Sequence, residues 1–403
     1  MTPRQRNFFF FFFFFLFLIV SPSLILFSLG YRIDFKRKKI AQTGGIFVKA
    51  VPKEVEVFVD GKFVAKTDPL FGSVLIENLL PGKHKVKVEK EGFFPWEKEL
   101  EVKEKQVTEI KNLVLFPKNL KFWPLFQNIK SFWLSPDGKK LILKEGTNEN
   151  WSLKLLSLEK KVKTHLLSQE DFLARANVIS VEFKNSNEIE VLLDFGGTPK
   201  KFLINLRDKT TKETKEELPK NFLWRKEKDE KECFLESSGF LFCENEKINR
   251  LSFFPKKDSH LDFEILKDNF LLREDKILYQ LNKDSGAFEK IFDGINGIQR
   301  SPDSKNLAIF SDFEIWLLKE SGEILFLNRF SEKISNLQWL NSNYLIFSVG
   351  KKIKVSEIDL RDKVNVFDLK ENFEGSFAFS QFEKRIYALE NETLFFSDLL
   401  DVF

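Results

Sequence analysis

One pattern recurs along most of this chain and restricts its fold more than any other feature. The stretch "FWLSPDGKKLILKEG" (132–146) is followed by "WSLKLLSLEKK", and "IQRSPDSKNLAIFSD" (298–312) is followed by "EIWLLKESGEI". The two Ser-Pro-Asp triplets begin at Ser135 and Ser301, 166 residues apart. That is four units of about 41.5 residues, the length of a propeller blade. Weaker copies start at Val178, around Cys233, and at Phe263, Ile334 and Ser376. Each reads strand, polar turn, strand, turn, strand. Inner blade strands bury both faces against neighbours, while the outer strand can stay polar on one side. Seven units are expected, with six or eight also compatible, and Phe116–Phe126 is placed to supply a closing strand. Within the triplet, Pro136 and Pro302 preset a turn, and Asp137 and Asp303 can bond the backbone. Gly138 takes the left-handed position that Ser304 occupies in the second copy.

The runs Ser135–Leu141 and Ser301–Leu307, the second with Ile315-Trp316-Leu317 after it, resemble the TolB-like propeller repeat. The resemblance implies a β-propeller over 117–403. It also implies that Asp137 and Asp303 are structural turn residues rather than cation ligands.

Ahead of that region the periodicity is two. Val55, Val57 and Val59 alternate with Glu56 and Phe58. Val86 and Val88 alternate with Lys85, Lys87 and Glu89, and Leu100 and Val102 with Glu99, Glu101 and Lys103. Alternation with β-branched residues between turn signals predicts strands. Asp60-Gly61 predicts a hairpin turn with positive φ at both positions, and Pro81-Gly82 a second turn. About seven short strands make a small sandwich. The runs 52–61 and 80–93 resemble the two halves of a PEGA domain, with Glu54-Val55 where Gly-Ala is usual and the Thr-Pro pair stretched to Thr67-Asp68-Pro69. The resemblance covers 45–116. It implies a sandwich found mostly on surface or envelope proteins and carries no catalytic residue. His84 falls in phase with Val86 and Val88 on the expected core side. With no second ligand at metal spacing, it reads as a hydrogen-bonded structural histidine.

The N-terminus opens with a seven-residue tail (1–7) and then Phe8 to Leu29, 22 residues without a charge. At the helical rise this spans roughly 33 Å, enough for a hydrocarbon core of about 30 Å. A secretory signal has a shorter apolar region and a small-residue cleavage site. A retained anchor over 8–30 is therefore expected, with cleavage as the alternative. Phe occurs 48 times. Its codons are AT-rich, so Phe is read as a large apolar residue rather than as a ligand platform. Residues 31–44 read as a basic linker. Arg4 and Arg6 precede the span, and Arg32 and Lys36 to Lys39 follow it. Taken literally, the positive-inside rule puts the body in the cytoplasm. The sandwich and propeller resemblances favour the opposite side, which is the side expected here.

Cys233 and Cys243 flank a turn in "ECFLESSGFLFCE". A three-residue turn sets them opposite each other as a non-hydrogen-bonded pair. A two-residue turn misaligns them. Two reduced core cysteines are the default, and a bridge favours an oxidising compartment.

Net charge is only +4, so nucleic acid is not an expected partner. Phosphate-loop, nucleophile-elbow, zinc and dithiol motifs are absent from the sequence. No cofactor, metal site or catalytic residue is expected. Gly196-Gly197 reads as a hairpin turn, and short helices are expected only near Gln169–Ala176 and Thr211–Glu217. The expectation is a single-pass bacterial envelope protein, not an enzyme. Its propeller loops would bind a wall polymer, peptide or protein. The alternatives are an envelope-polymer hydrolase or lyase and a cytoplasm-facing interaction hub.

Overall fold

The computed structural model describes residues 3–34, 38–214, 222–228, 231–236, 238–243, 246–251, 259–267, 269–282 and 284–402. Helix α1 (Pro3–Ser28) carries the phenylalanine run. Rings four residues apart stack along it, Phe8 on Phe12, Phe9 on Phe13 and Phe10 on Phe14, with centroids 6.3–6.4 Å apart. Pro22 lies inside the helix, and the Ser23 hydroxyl donates to Ile19 O at 2.8 Å. Hydroxyl back-bonding of this kind suits a helix in a medium without water.

The chain divides into two compact units. The first comprises Met1–Lys118 with Asp359–Asn365 and Asp401–Phe403. Its β1 (Tyr31–Asp34) and β2 (Lys39–Gln42) form a two-stranded antiparallel hairpin where a linker was expected. A sandwich follows, built from β3 (Gly44–Val51), β4 (Glu56–Val59), β5 (Lys62–Lys66), β6 (Ser73–Leu79), β7 (Gly82–Glu89), β8 (Trp96–Val102) and β9 (Val107–Val114). One sheet has the order β6-β3-β9 and the other β5-β4-β7-β8. β3 is antiparallel to β6 and parallel to β9. The alternating positions point inward: Ile46, Val48, Val57, Val59, Val86, Val88, Trp96 and Leu100 form one core cluster. Burying each aliphatic side chain contributes about 2 kcal/mol against the entropy of ordering the strands. Gly44 starts β3 where a Cβ would lie 2.3 Å from Lys103 O, so only glycine allows that approach.

The second unit comprises Asn119–Ile358 and Val366–Leu400. Its described residues form seven four-stranded antiparallel sheets. Six follow the chain in up-and-down order, over 129–168, 177–214, 222–250, 261–292, 295–329 and 334–370. In the seventh, β10 (Phe122–Phe126) joins the strands of 376–397 by pairing with Thr393–Ser397. The unit is therefore a propeller-type array. Leu141 and Leu143 of the first sheet share a cluster with Tyr387, Leu389 and Leu394 of the seventh, so the last sheet packs on the first.

Residues 211–214, where the sequence reading expected a helix, form an edge strand. Thr211 to Thr214 pair with Lys201 to Ile204, because two β-branched residues beside an open strand edge favour pairing over an isolated helical turn. The remainder of that expected helix, 215–217, lies outside the described residues. Near Gln169–Ala176 the structure has one short 3₁₀ turn, Gln169–Asp171.

Candidate interaction platform

Several side-chain bonds cross between sheets of the second unit, beside the apolar clusters that span them. Trp339 Nε1 donates to Gln299 O at 2.8 Å. Gln338 donates to Phe377 O at 3.0 Å and accepts from the Phe379 amide at 3.2 Å. Ser380 Oγ donates to Gly138 O at 2.6 Å, linking the seventh sheet to a turn of the first. Lys140 Nζ reaches Ser186 O and Asn187 Oδ1 of the second sheet at 2.7 and 3.2 Å. Arg300 pairs at 3.3 Å with the buried Glu264. Each buried polar group that spans a seam stiffens it, since breaking it strands a desolvated partner.

The two Ser-Pro-Asp turns have the same internal bonding. Ser135 Oγ donates to Asp137 Oδ1 at 2.6 Å and accepts from Lys140 N at 2.9 Å, and Lys139 N donates to Asp137 Oδ1 at 3.1 Å. Ser301 Oγ, Asp303, Lys305 N and Asn306 N repeat this at 2.7, 3.2 and 3.0 Å. Gly138 has φ +69° and Ser304 φ +58°. Burial opposes ionisation of Asp137. The Ser135 hydroxyl, the Lys139 amide and the Lys140 and Lys139 charges outweigh it and hold the carboxyl below its usual range. Pro136 and Pro302 lie inside these turns.

In the first unit, Asp60 and Gly61 both have positive φ, +51° and +77°. His84 ties this turn to Leu80, the residue before Pro81-Gly82: Nδ1 lies 2.7 Å from Asp60 Oδ2, and Nε2 lies 2.7 Å from Leu80 O. Asp68 organises the next loop. It accepts from the amides of Leu70, Phe71 and Ser73 at 3.0, 2.6 and 2.9 Å, and from the Ser73 hydroxyl at 3.1 Å. The Phe71 and Ser73 amides dominate in lowering its pKa to about 2.

Cys233 and Cys243 are paired across adjacent strands and joined by a disulfide, with Cα atoms 4.1 Å apart. Among the described residues no three His, Cys, Asp or Glu side chains gather in a metal-holding group.

A loop between the first and second sheets displays an apolar side chain on a bonded frame. Gln169 closes it from both ends, donating to Ala174 O at 3.0 Å and accepting from Ala176 N at 2.8 Å. Trp151 Nε1 donates to Ala176 O at 2.6 Å. Phe172 is packed edge-on to Phe195 and Phe202, with centroids 5.4 Å away in each case. With its neighbours pinned, Leu173 stands fully exposed. Arg175 pairs with Glu149 of the adjoining 147–150 loop at 2.9 Å. The result is an apolar tip beside an ion pair that joins two adjoining loops.

Sequence reasoning missed Lys98. It is fully buried and donates to Asp359 O and Arg361 O of the same unit at 2.5 and 2.8 Å. Its phase, two residues from both Trp96 and Leu100 on β8, carried the signal.

Comparison with known proteins gives one family match: the PEGA domain model matches residues 43–116. No curated protein matches the chain. Among solved structures, the Cps50 (Swd1) β-propeller domain of Myceliophteria thermophila is 13% identical, with TM-score 0.42 over 68% of this chain and 98% of that one. The extracellular domain of a putative one component system from B. thetaiotaomicron is 11% identical, with TM-score 0.45 over 69% of this chain and 40% of that one. A catalytically inactive virginiamycin B lyase from Staphylococcus aureus is 14% identical, with TM-score 0.43 over 70% and 99%. Family match and sheet order together identify residues 43–116 as a PEGA domain in a chain that also carries an apolar N-terminal helix and a propeller-type unit.

Proposed function

We propose that this chain is a single-pass membrane-anchored envelope protein with a non-catalytic binding or scaffolding role. Its propeller-type unit would present loops to a wall polymer, peptide or protein partner. The observation that carries the reading is the loop 169–176. Its backbone is bonded by Gln169 and Trp151 and its flanking aromatic side chains are packed, while Leu173 is left in water. Function concentrates on loops that a rigid scaffold positions, and preorganisation lowers the entropy lost on binding.

The anchor rests on α1, which is long and apolar enough to cross a bilayer and is exposed along its length. The side rests on the Cys233–Cys243 disulfide. Disulfides persist in oxidising compartments and are rare in the cytosol. The basic residues after α1 argue for the other side. The charge rule, however, is a statistical bias over short flanks, whereas a disulfide needs an oxidant.

The test is labelling of Asn148→Cys, on the exposed loop beside Glu149, with a membrane-impermeant maleimide. Intact cells, with the outer barrier permeabilised where one exists, should label as strongly as lysed cells. Labelling only after lysis places the body in the cytoplasm and overturns the envelope reading.

A further inference from the structure

The hairpin β1–β2 has two unlike faces. Register pairs Ile33 with Ile40 and Arg32 with Ala41. Strand alternation therefore puts Tyr31, Ile33, Ile40 and Gln42 on one face, and Arg32, Asp34, Lys39 and Ala41 on the other. The second face turns inward at Asp34 and Ala41, which are 4% and 2% exposed. The first turns outward, with Ile33 58% and Ile40 61% exposed. A directly paired, solvent-facing isoleucine couple is unfavourable in water.

No slack chain separates this hairpin from α1. Thr43 N and Oγ1 both donate to Gly30 O at 2.9 Å. Arg32 caps the helix end, donating to Phe27 O at 2.8 Å with its guanidinium 3.4 Å from the Phe27 ring centroid. The same guanidinium donates to Asn78 Oδ1 of β6 at 2.9 Å. Helix end, hairpin and sandwich edge are thus bonded through one side chain, and the hairpin's position follows from that of the helix.

We infer that the outer face of β1–β2, with Ile33 and Ile40 at its centre, rests in the anionic phospholipid headgroup layer as an interfacial foot of the sandwich. The inference rests on reading α1 as a membrane span. The apolar run ends at Leu29, and at the helical rise it already fills a hydrocarbon core of about 30 Å. The next residues therefore enter the headgroup zone, which is only about 5–8 Å deep on each side. That layer suits this face: isoleucine reaches the acyl boundary, and tyrosine favours the membrane–water interface. Charge points the same way. Lys38, next to the hairpin, is exposed, and an ammonium group is drawn to anionic lipid.

The experiment uses the full chain in lipid nanodiscs. A polarity-sensitive fluorophore is attached at Ile33→Cys, at Ile40→Cys and, in the span, at Phe17→Cys; the native cysteines are already bridged. The expected result is blue-shifted emission at 33 and 40, with quenching by nitroxide carried on lipid headgroups and protection from iodide. Headgroup quenching at these sites should weaken when anionic lipid is replaced by zwitterionic. Residue 17 should be quenched by nitroxide deep on the acyl chain. If 17 behaves this way while 33 and 40 are quenched by iodide alone, the foot is overturned and the anchor stands. If 33 and 40 are shielded from both quenchers, protein covers the face, a second copy included, and the proposal also fails. If 17 is not quenched by lipid, anchor and foot fall together.

Discussion

Cys233 and Cys243 sit directly opposite each other on neighbouring strands of the third sheet, and their sulfurs are bonded. The loop they close is short, with a sequence separation of 10. Chain-entropy reasoning gives such a loop about 2–3 kcal/mol of stabilisation. The side chains are buried in a cluster with Leu235, Leu241, Phe263 and Leu272, so the bridge packs where the third sheet meets the fourth. Cys233→Ser with Cys243→Ser should lower the unfolding free energy of the detergent-solubilised chain by that amount, read as a lower denaturation midpoint. A thiol assay on unfolded protein taken from intact cells should find no free sulfhydryl. An unchanged midpoint would remove the stabilising role.

Asp68 predicts an acid-sensitive loop. Its folded pKa, about 2, lies below the ordinary 3.8. A depressed carboxylate adds stability that is fully present above the unfolded value and is lost as pH falls through the folded one. The loop should therefore hold at pH 4 and loosen toward pH 2. The readout is amide-exchange protection at Phe71 and Ser73 relative to the intrinsic rate at each pH, which should fall across that window. In Asp68→Asn the pH dependence in this window should vanish.

The serine–aspartate turns predict equivalence between two distant sites. Asp137→Ala and Asp303→Ala each remove an acceptor used by a serine hydroxyl and a backbone amide. Each should cost about 1–2 kcal/mol, read from urea unfolding followed by tryptophan fluorescence. Added calcium should leave the midpoint of the parent chain unchanged. A calcium-dependent rise that Asp303→Ala abolishes would make the turn a cation site instead.

The phenylalanine run predicts indifference to side-chain identity. Replacing Phe8 to Phe15 with leucine should leave the protein resistant to alkaline carbonate extraction. Leu16→Arg puts a charge near the helix centre at a cost of about 3 kcal/mol and should shift chain into the extractable fraction. Loss of membrane retention in the leucine variant would show that the aromatic rings matter in themselves.

What the sequence revealed follows how local each signal is. Val86 and Val88 could be placed inward from period-two alternation alone, and the Asp60-Gly61 turn from its dipeptide, because both depend on neighbours within a few residues. Lys98 was harder to read. Its partners Asp359 O and Arg361 O are 261 and 263 residues away, and nothing near it announces two waiting carbonyls. The hairpin after α1 was hidden for a related reason: its run of basic residues reads as solvated chain, and only Arg32 bonding to Asn78 across 46 residues gives it a fixed place. The ordered loop at Leu173 was visible only as a loop. Its rigidity comes from Gln169 and a ring cluster whose members, Phe172, Phe195 and Phe202, meet only after the second sheet forms.

The pairing of β10 with Thr393–Ser397 sets a timetable for biogenesis. Trp123 Nε1 donates to Asp398 Oδ1 at 2.9 Å across 275 residues of chain. During synthesis the earliest strand of the array has no partner until the latest one emerges, and at ribosomal speeds that interval is tens of seconds. Throughout it, the open edge can recruit a strand from another nascent chain. A chain interrupted anywhere before Thr393 would lack the strand that pairs with β10, leaving quality control an exposed edge to read.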